Sequence, residues 1–93
     1  DDLANACIFL MKNYNNVKPI NIGTDYVSSI KELANKIKEL IGYKGNLIFD
    51  KSKPDGMSKK ILNSEEIFSL GWKPKTSLEE GLMNTYNWFL SKN

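Results

Sequence analysis

The chain has 93 residues, of which 41% are hydrophobic and 26% are charged, a composition ordinary for a single globular domain. Thirteen basic and 11 acidic residues give a net charge of +2, too small an excess to predict binding to nucleic acid or to an anionic membrane. The single cysteine excludes a disulfide framework and favours a cytoplasmic setting, and without histidine the chain has no imidazole for catalysis.

The amino terminus shows neither a natural start nor a targeting signal. The sequence starts at Asp1 and not at an initiator methionine, and neither a basic segment nor a long apolar stretch follows. No window approaches the ~20 apolar residues that a transmembrane helix needs. We therefore expect that the chain begins inside a longer protein and that residues 1–93 form one region of it.

Four segments carry the apolar spacing of amphipathic helices. A first helix is predicted to end near Asn13, and a second starts at the Ser29/Glu32 capping box and stops at Gly42. A short third helix is capped by Asn63 and stops at Gly71, and a fourth starts at Ser77. The apolar face of the first helix comprises Leu3, Ala6, Cys7, Leu10 and Met11. That of the fourth comprises Leu78, Leu82, Thr85, Trp88 and Phe89.

Two short strands are predicted between these helices, at Pro19–Gly23 and Leu47–Phe49. Two isolated short strands do not make a stable sheet, so either they pair with each other or they join strands from elsewhere in the protein. We favour the second possibility for Pro19–Gly23. The expected fold class is α/β, as an α+β fragment.

The loop from Lys51 to Lys60 is the most informative stretch for chemistry. Several ammonium groups beside a polar turn can hold a diphosphate, and an aspartate there can accept hydrogen bonds from hydroxyl groups. A solvated lysine-rich loop is the simpler alternative on composition alone. The basic and acidic side chains concerned are Lys51, Lys53, Asp55, Lys59 and Lys60.

Other candidate groups are better explained as structure. Tyr14 and Lys18 have the Tyr-x-x-x-Lys spacing of short-chain dehydrogenases but lie in an asparagine-rich loop, where i and i+4 need not be neighbours. Cys7 is predicted to be a small buried hydrophobe, and Asp2 a helix-start residue rather than a metal ligand. The aromatic side chains are assigned to the core. The sequence contains no glycine-rich phosphate loop, zinc pattern or Ser/His/Asp set.

Several runs, taken together and in order, resemble the carboxy-terminal region of GDP-L-fucose synthase. The most specific is Lys53-Pro54-Asp55-Gly56 followed four residues later by Lys60, with Gly42-Tyr43-Lys44-Gly45 upstream. Two other runs occur more widely among extended short-chain dehydrogenases. They are Asn21-Ile22-Gly23-Thr24 and Leu78-Glu79-Glu80-Gly81-Leu82.

The resemblance implies the substrate-binding part of an NADP-dependent enzyme that converts GDP-4-keto-6-deoxy-D-mannose to GDP-L-fucose by epimerisation and reduction. Its NADP-binding Rossmann domain and its catalytic residues would lie outside this chain, which would be inactive alone. By motif position, Asp55 and Lys60 are implied substrate contacts, with Lys60 on the diphosphate and Lys59 a weaker candidate. Met57 and Ser58 depart from the pattern of the family. A homodimeric, cytoplasmic full-length enzyme is expected.

Two alternatives stay open on the residues themselves. The chain could belong to another nucleotide-sugar epimerase or dehydratase that uses a different nucleotide, which competition between GDP-, UDP- and dTDP-sugars would distinguish. It could instead be an independent α+β interaction module without a ligand. That module would fold cooperatively on its own and ignore all nucleotides.

Overall fold

The computed structural model of the protein describes residues 1–56 and 61–92. It divides into two compact units, each built from two separate stretches of chain. Unit 1 comprises Asp1–Tyr26 and Lys60–Thr76, and unit 2 comprises Val27–Lys59 and Ser77–Asn93. Four helices form in the described ranges. They are α1 (Asp2–Asn13), α2 (Ile30–Ile41), α3 (Glu65–Ser69) and α4 (Leu78–Lys92).

The core of unit 1 forms where α1 meets the segment that contains α3. Ala6 and Ile67 are fully buried, and Trp72 is nearly so. Phe68 stacks on Trp72 with ring centroids 6.3 Å apart, a favourable offset arrangement for two aromatic rings. The small side chain of Ala6 lets α1 approach this cluster closely, so a few residues fill the centre of the unit. The side chains that pack around it are Phe9, Leu10, Ile20, Ile22 and Phe68.

The short helix α3 is set by local hydrogen bonds at both ends. Asn63 Oδ1 accepts from the amide of Glu65 at 3.0 Å, while Ser64 occupies the cap position itself. The predicted asparagine cap is thus one residue off, because the asparagine forms a turn just before the helix. At the other end the amide of Trp72 donates to the carbonyl of Ile67, which closes the last turn before Gly71, as predicted.

A long-range hydrogen-bond set joins the start of α1 to the end of unit 1. Asp2 Oδ2 accepts from the amides of Lys75 and Thr76 at 3.1 and 3.0 Å. The Thr76 hydroxyl lies 3.5 Å from Asp2 Oδ1. Accepting these hydrogen bonds, above all the one from the Thr76 amide, lowers the pKa of the Asp2 carboxyl. Asp2 is a structural residue, as predicted, but its role reaches far beyond its own helix.

Unit 2 is built on the packing of α2 against α4. Ser29 Oγ accepts from the amide of Glu32 at 3.1 Å, and Ser77 Oγ accepts from the amide of Glu80 at 3.1 Å, so both predicted serine caps are present. Lys36 on α2 forms an ion pair and hydrogen bond with Glu79 on α4. This bond lowers the pKa of the Glu79 carboxyl.

The two predicted strands are not formed as strands. None of the described residues, 1–56 and 61–92, belongs to a strand, including Pro19–Gly23 and Leu47–Phe49. Ile20 and Ile22 nevertheless pack onto the core of unit 1, so the alternation of the sequence is used for burial. A strand requires a hydrogen-bonded neighbour, and an alternating sequence supplies only one side of that pair.

Several burial predictions are wrong. Cys7 is exposed, as are Leu3 and Met11 on the same face of α1, whereas Ala6 and Leu10 of the predicted stripe do face the core. The apolar side chains of α1 therefore occupy two faces, of which this chain covers one. On α4, Leu78 and Leu82 are half-buried but Thr85, Trp88 and Phe89 are exposed.

Candidate substrate-binding site

The basic loop of unit 2 begins with a turn fixed by an aspartate. Asp50 Oδ1 accepts from the amide of Ser52 at 2.9 Å and from its hydroxyl at 2.5 Å. These hydrogen bonds, first the one from the Ser52 hydroxyl, lower the pKa of the Asp50 carboxyl below its usual value. The following residues therefore leave the turn in a defined direction.

Asp55 lies at the exposed end of this loop. Its side chain makes no hydrogen bond or ion pair with the described part of the chain, unlike the carboxylates of Asp2 and Asp50. An exposed carboxylate without an internal partner is available to accept hydrogen bonds from a ligand. The two predicted lysine contacts, Lys59 and Lys60, lie outside the described residues, and their roles stay predictions.

Unit 1 contains a small pocket beside the extended segment that follows Ile22. Its volume is about 190 Å³, and its walls come from two stretches of chain that meet there. Thr24 and Tyr26 supply hydroxyl groups, and Ile61 and Leu62 supply aliphatic surface. A Cβ atom added to Gly23 would lie 3.2 Å from Ser64 Oγ and 3.4 Å from Leu62 Cβ, so glycine permits the close approach of the two walls. The sequence analysis did not predict this pocket. A glycine and a threonine that follow an apolar run, Gly23-Thr24, are the sequence signal that could have indicated it.

Unit 2 contains a larger and almost wholly apolar groove between α2 and α4. Its volume is about 320 Å³, and Trp88 and Phe89 on its rim are 62% and 55% exposed. Thr85 also lines the groove, and its hydroxyl donates a hydrogen bond to the carbonyl of Gly81 at 2.8 Å. The remaining lining residues are Ile37, Leu40, Ile41, Leu82 and Tyr86.

Tyr14 and Lys18 do not form a dehydrogenase pair. Tyr14 ends α1 in an extended conformation, with φ −133° and ψ 121°, and its hydroxyl donates to the main-chain carbonyl of Lys18 at 2.9 Å. The tyrosine hydroxyl is therefore bound to the loop backbone rather than to the lysine ammonium group. The interpretation of this spacing as a coincidence is confirmed.

The described residues contain neither a cluster of metal-binding side chains nor a membrane-spanning helix. No group of three or more histidine, cysteine, aspartate or glutamate side chains in residues 1–56 and 61–92 is placed to hold a metal ion. Among the same residues, no helix is long and apolar enough to cross a membrane.

Known proteins are similar to this chain over nearly its whole length. No family model matches it. The GDP-L-fucose synthase 1 of Arabidopsis thaliana is 47% identical over 97% of the chain, and the GDP-L-fucose synthase of Sinorhizobium fredii is 47% identical over 98% of it. The matched region is 28% and 29% of those two proteins, respectively.

Solved structures agree with the sequence match. A GDP-6-OMe-4-keto-L-xylo-heptose reductase from Campylobacter jejuni superposes on the whole chain with a TM-score of 0.91 at 37% identity, over 30% of its own length. The chain is a homologue of the carboxy-terminal part of the GDP-L-fucose synthases. In fold it matches the carboxy-terminal part of extended short-chain dehydrogenases and reductases, as the resemblance implied.

The match to fucose synthases explains why no catalytic set is found. The chain spans less than a third of the length of the relatives that it matches, so most of each relative has no counterpart here. The site residues implied by the resemblance all fall in the 51–60 loop, of which the structure describes the first six residues. Within that part, Asp55 is exposed, and its role as a substrate contact stays a prediction.

Proposed function

We propose that the chain is the GDP-sugar-binding part of a GDP-L-fucose synthase. The whole enzyme converts GDP-4-keto-6-deoxy-D-mannose to GDP-L-fucose by epimerisation and reduction with NADPH. The supporting observation is the identity of 47% to fucose synthases of a plant and a bacterium across nearly the entire chain. The carboxylate of Asp55 lies within the family motif, is exposed, and has no partner among the described residues, which is consistent with this assignment.

The domain arrangement is part of the same proposal. Residues 1–93 form the carboxy-terminal region, and an NADP-binding Rossmann domain precedes them in the full protein. A GDP-mannoheptose C4 reductase from C. jejuni, 36% identical and with a TM-score of 0.81, was solved with NADP bound. This chain has no glycine-rich phosphate loop, so none of its residues is assigned to the cofactor. A homodimeric state and a cytoplasmic location complete the proposal.

Within this chain, Asp55 and Lys60 are the proposed substrate contacts, with Lys59 as a weaker one. A lysine ammonium group stabilises a diphosphate by a charge-assisted hydrogen bond, and a carboxylate accepts from ribose or sugar hydroxyls. Both residue types suit a nucleotide sugar, which combines negative charge with many hydroxyl donors.

An assay of the full gene product tests the function. The purified protein is given GDP-4-keto-6-deoxy-D-mannose and NADPH, and loss of NADPH absorbance is followed together with the product. GDP-L-fucose is the expected product, with UDP- and dTDP-sugars competing much less well than GDP-sugars. Absence of turnover with this substrate, or stronger competition by UDP-sugars, would refute the proposal. The 93-residue chain alone is the control and should be inactive.

A second candidate is favoured by the solved structures. The C. jejuni protein with a TM-score of 0.91 is a reductase of a GDP-keto-heptose. The chain would then belong to an enzyme that reduces a GDP-keto sugar without the preceding epimerisation. Analysis of the product by NMR separates the two, because epimerisation changes the configuration at two ring carbons and reduction alone leaves them unchanged.

A further inference from the structure

The pocket of unit 1 has the chemistry of a site for a neutral, hydroxyl-bearing ring. Its described lining residues carry two hydroxyl side chains and two aliphatic ones, and none of them is charged. At about 190 Å³ it is smaller than the ~300–1,000 Å³ of pockets for drug-sized ligands, so it fits part of a larger molecule. Hydroxyl groups at one wall and aliphatic surface at the other match a sugar ring, which has polar edges and less polar faces.

The two walls of this pocket are held in fixed proximity. Gly23 lies against Leu62 and Ser64, where even one added carbon atom would be in tight contact. Ser64 is 5% exposed, and its buried hydroxyl has no hydrogen-bond partner within the described structure. A pocket whose walls are already packed loses little conformational freedom when a ligand binds, which favours binding.

The pocket is also adjacent in sequence to the predicted diphosphate contact. Ile61, which lines the pocket, follows Lys60 directly, and consecutive Cα atoms are about 3.8 Å apart. In the sequence, the pocket therefore adjoins the residue that the family resemblance assigns to the diphosphate.

From these observations we infer that the pocket of Gly23, Thr24, Tyr26, Ile61 and Leu62 binds one of the two rings next to the diphosphate, the ribose or the hexose of the GDP-sugar. Thr24 forms a hydrogen bond with a ring hydroxyl, and Leu62 packs against the ring. The inference rests on the proposed function and adds specificity-determining residues to it.

Two variants of the full-length enzyme test the pocket. Thr24→Val removes the hydroxyl at nearly constant volume, and we expect the dissociation constant for the GDP-sugar to rise by about 2- to 10-fold, as for the loss of one hydrogen bond. Leu62→Phe fills the pocket and should raise the dissociation constant for the GDP-sugar by at least about fivefold. The matched control is Leu90→Phe, since Leu62 and Leu90 are both 51% exposed. Thr24→Ser should restore binding.

Titration calorimetry with the GDP-sugar and with GDP alone separates the two rings. Weaker binding of the GDP-sugar with unchanged binding of GDP assigns the hexose, and equal weakening of both assigns the ribose. The Michaelis constant for NADPH should stay constant in each variant, which also shows that the enzyme is folded. Unchanged binding of both ligands in Thr24→Val and Leu62→Phe overturns the inference while the unmodified enzyme still turns over its substrate. If the unmodified enzyme does not turn over this sugar, it is the proposed function that fails.

Discussion

At the scale of single residues, Asp2 holds together stretches that are far apart in the sequence. Its carboxylate accepts two amides that lie 73 and 74 residues further along the chain. A hydrogen bond to the ionised carboxylate is roughly twice as strong as one to the neutral acid, so the strength of the interaction depends on the charge state of Asp2. This dependence makes it accessible to a pH experiment.

We expect Asp2 to stabilise unit 1 at neutral pH and to lose this effect in acid. The pKa of Asp2 is lowered in the folded chain, so the folded state binds fewer protons than the unfolded one around pH 4. Its contribution is complete above the ordinary aspartate pKa of ~3.9 and is lost as the pH falls through the lower folded value. Asp2→Asn should therefore lower the melting temperature by a few degrees at pH 7 and by less at pH 3.

Asp1→Asn is the matched control for Asp2→Asn, because Asp1 makes no side-chain cap hydrogen bond. Thermal unfolding followed by circular dichroism at the two pH values measures the difference. An equal loss of stability at pH 7 and pH 3 would show that the Asp2 charge does not hold the two amides.

Lys60 is the residue whose removal should weaken substrate binding most in the full enzyme. If it contacts the diphosphate, Lys60→Ala should cost ~1–3 kcal/mol of binding free energy for the GDP-sugar, the value of a charge-assisted hydrogen bond. Lys53→Ala is the control for a general loss of positive charge in the same loop. Unchanged Michaelis and dissociation constants for the GDP-sugar in Lys60→Ala would remove this lysine from the site.

At the scale of elements, α2 ends because of one backbone conformation. Gly42 has φ 73° and ψ 27°, in the left-handed region, and a Cβ there would meet no atom within 4 Å. A side chain at Gly42 would therefore destabilise the fold through its unfavourable backbone conformation and not through a steric clash. Gly42→Ala should lower the free energy of unfolding by about 1–2 kcal/mol, and Gly42→Asn by less.

Urea unfolding of the chain, followed by its helical circular dichroism, checks the prediction for Gly42. Gly56→Ala is the control, since a Cβ at Gly56 also has open space but the backbone there does not have a positive φ. Equal stability of Gly42→Ala and Gly56→Ala would contradict the assigned cost.

The helices could be predicted from the sequence because their signals are local. The serine caps at Ser29 and Ser77 and the stop at Gly42 depend on residues within four positions of each helix end. Whether the two segments form strands and whether Trp88 is buried could not be predicted in the same way. Both depend on which surface packs against the segment concerned. An apolar stripe shows that a face prefers burial, and it does not show whether this chain covers it.

The candidate site was predictable in part for a similar reason. Asp55 was predicted from its place in a motif, and the structure shows that it is exposed. The pocket beside Thr24 joins residues 23–26 to residues 61 and 62, a pairing that no local pattern contains. The contact of Asp2 with Thr76 was not predicted for the same reason, since the two residues are 74 positions apart in the sequence.

At the scale of the whole molecule, the chain leaves a large amount of apolar surface uncovered. On α1 the outward side chains of Leu3, Ile8 and Met11 are 63%, 52% and 85% exposed, and Cys7 lies among them. Burying such side chains is worth roughly 1.5–3 kcal/mol each. If the proposed preceding domain covers this face in the full protein, the isolated chain should be only marginally stable.

Cys7 can report on that coverage. In the isolated chain its thiol should react with a thiol reagent at close to the rate of the urea-unfolded chain, because it is exposed. In the full-length protein the same thiol should react at least about tenfold more slowly, since access requires an opening of the interface. Comparison with Cys7→Ser isolates its signal from that of other cysteines. Equal rates in both proteins would show that this face of α1 stays open.

The interruption of unit 1 by a long stretch of unit 2 has a consequence for synthesis. Ala6 finds its core partners Ile67 and Trp72 only after more than sixty further residues have been added. Closing such a long loop is slow compared with forming a local helix. The core of unit 1 is therefore completed after local helical turns can form. On the ribosome, α2 can form as soon as its own residues emerge. The core face of α1 must wait for its partners until the segment that ends at Thr76 has left the exit tunnel.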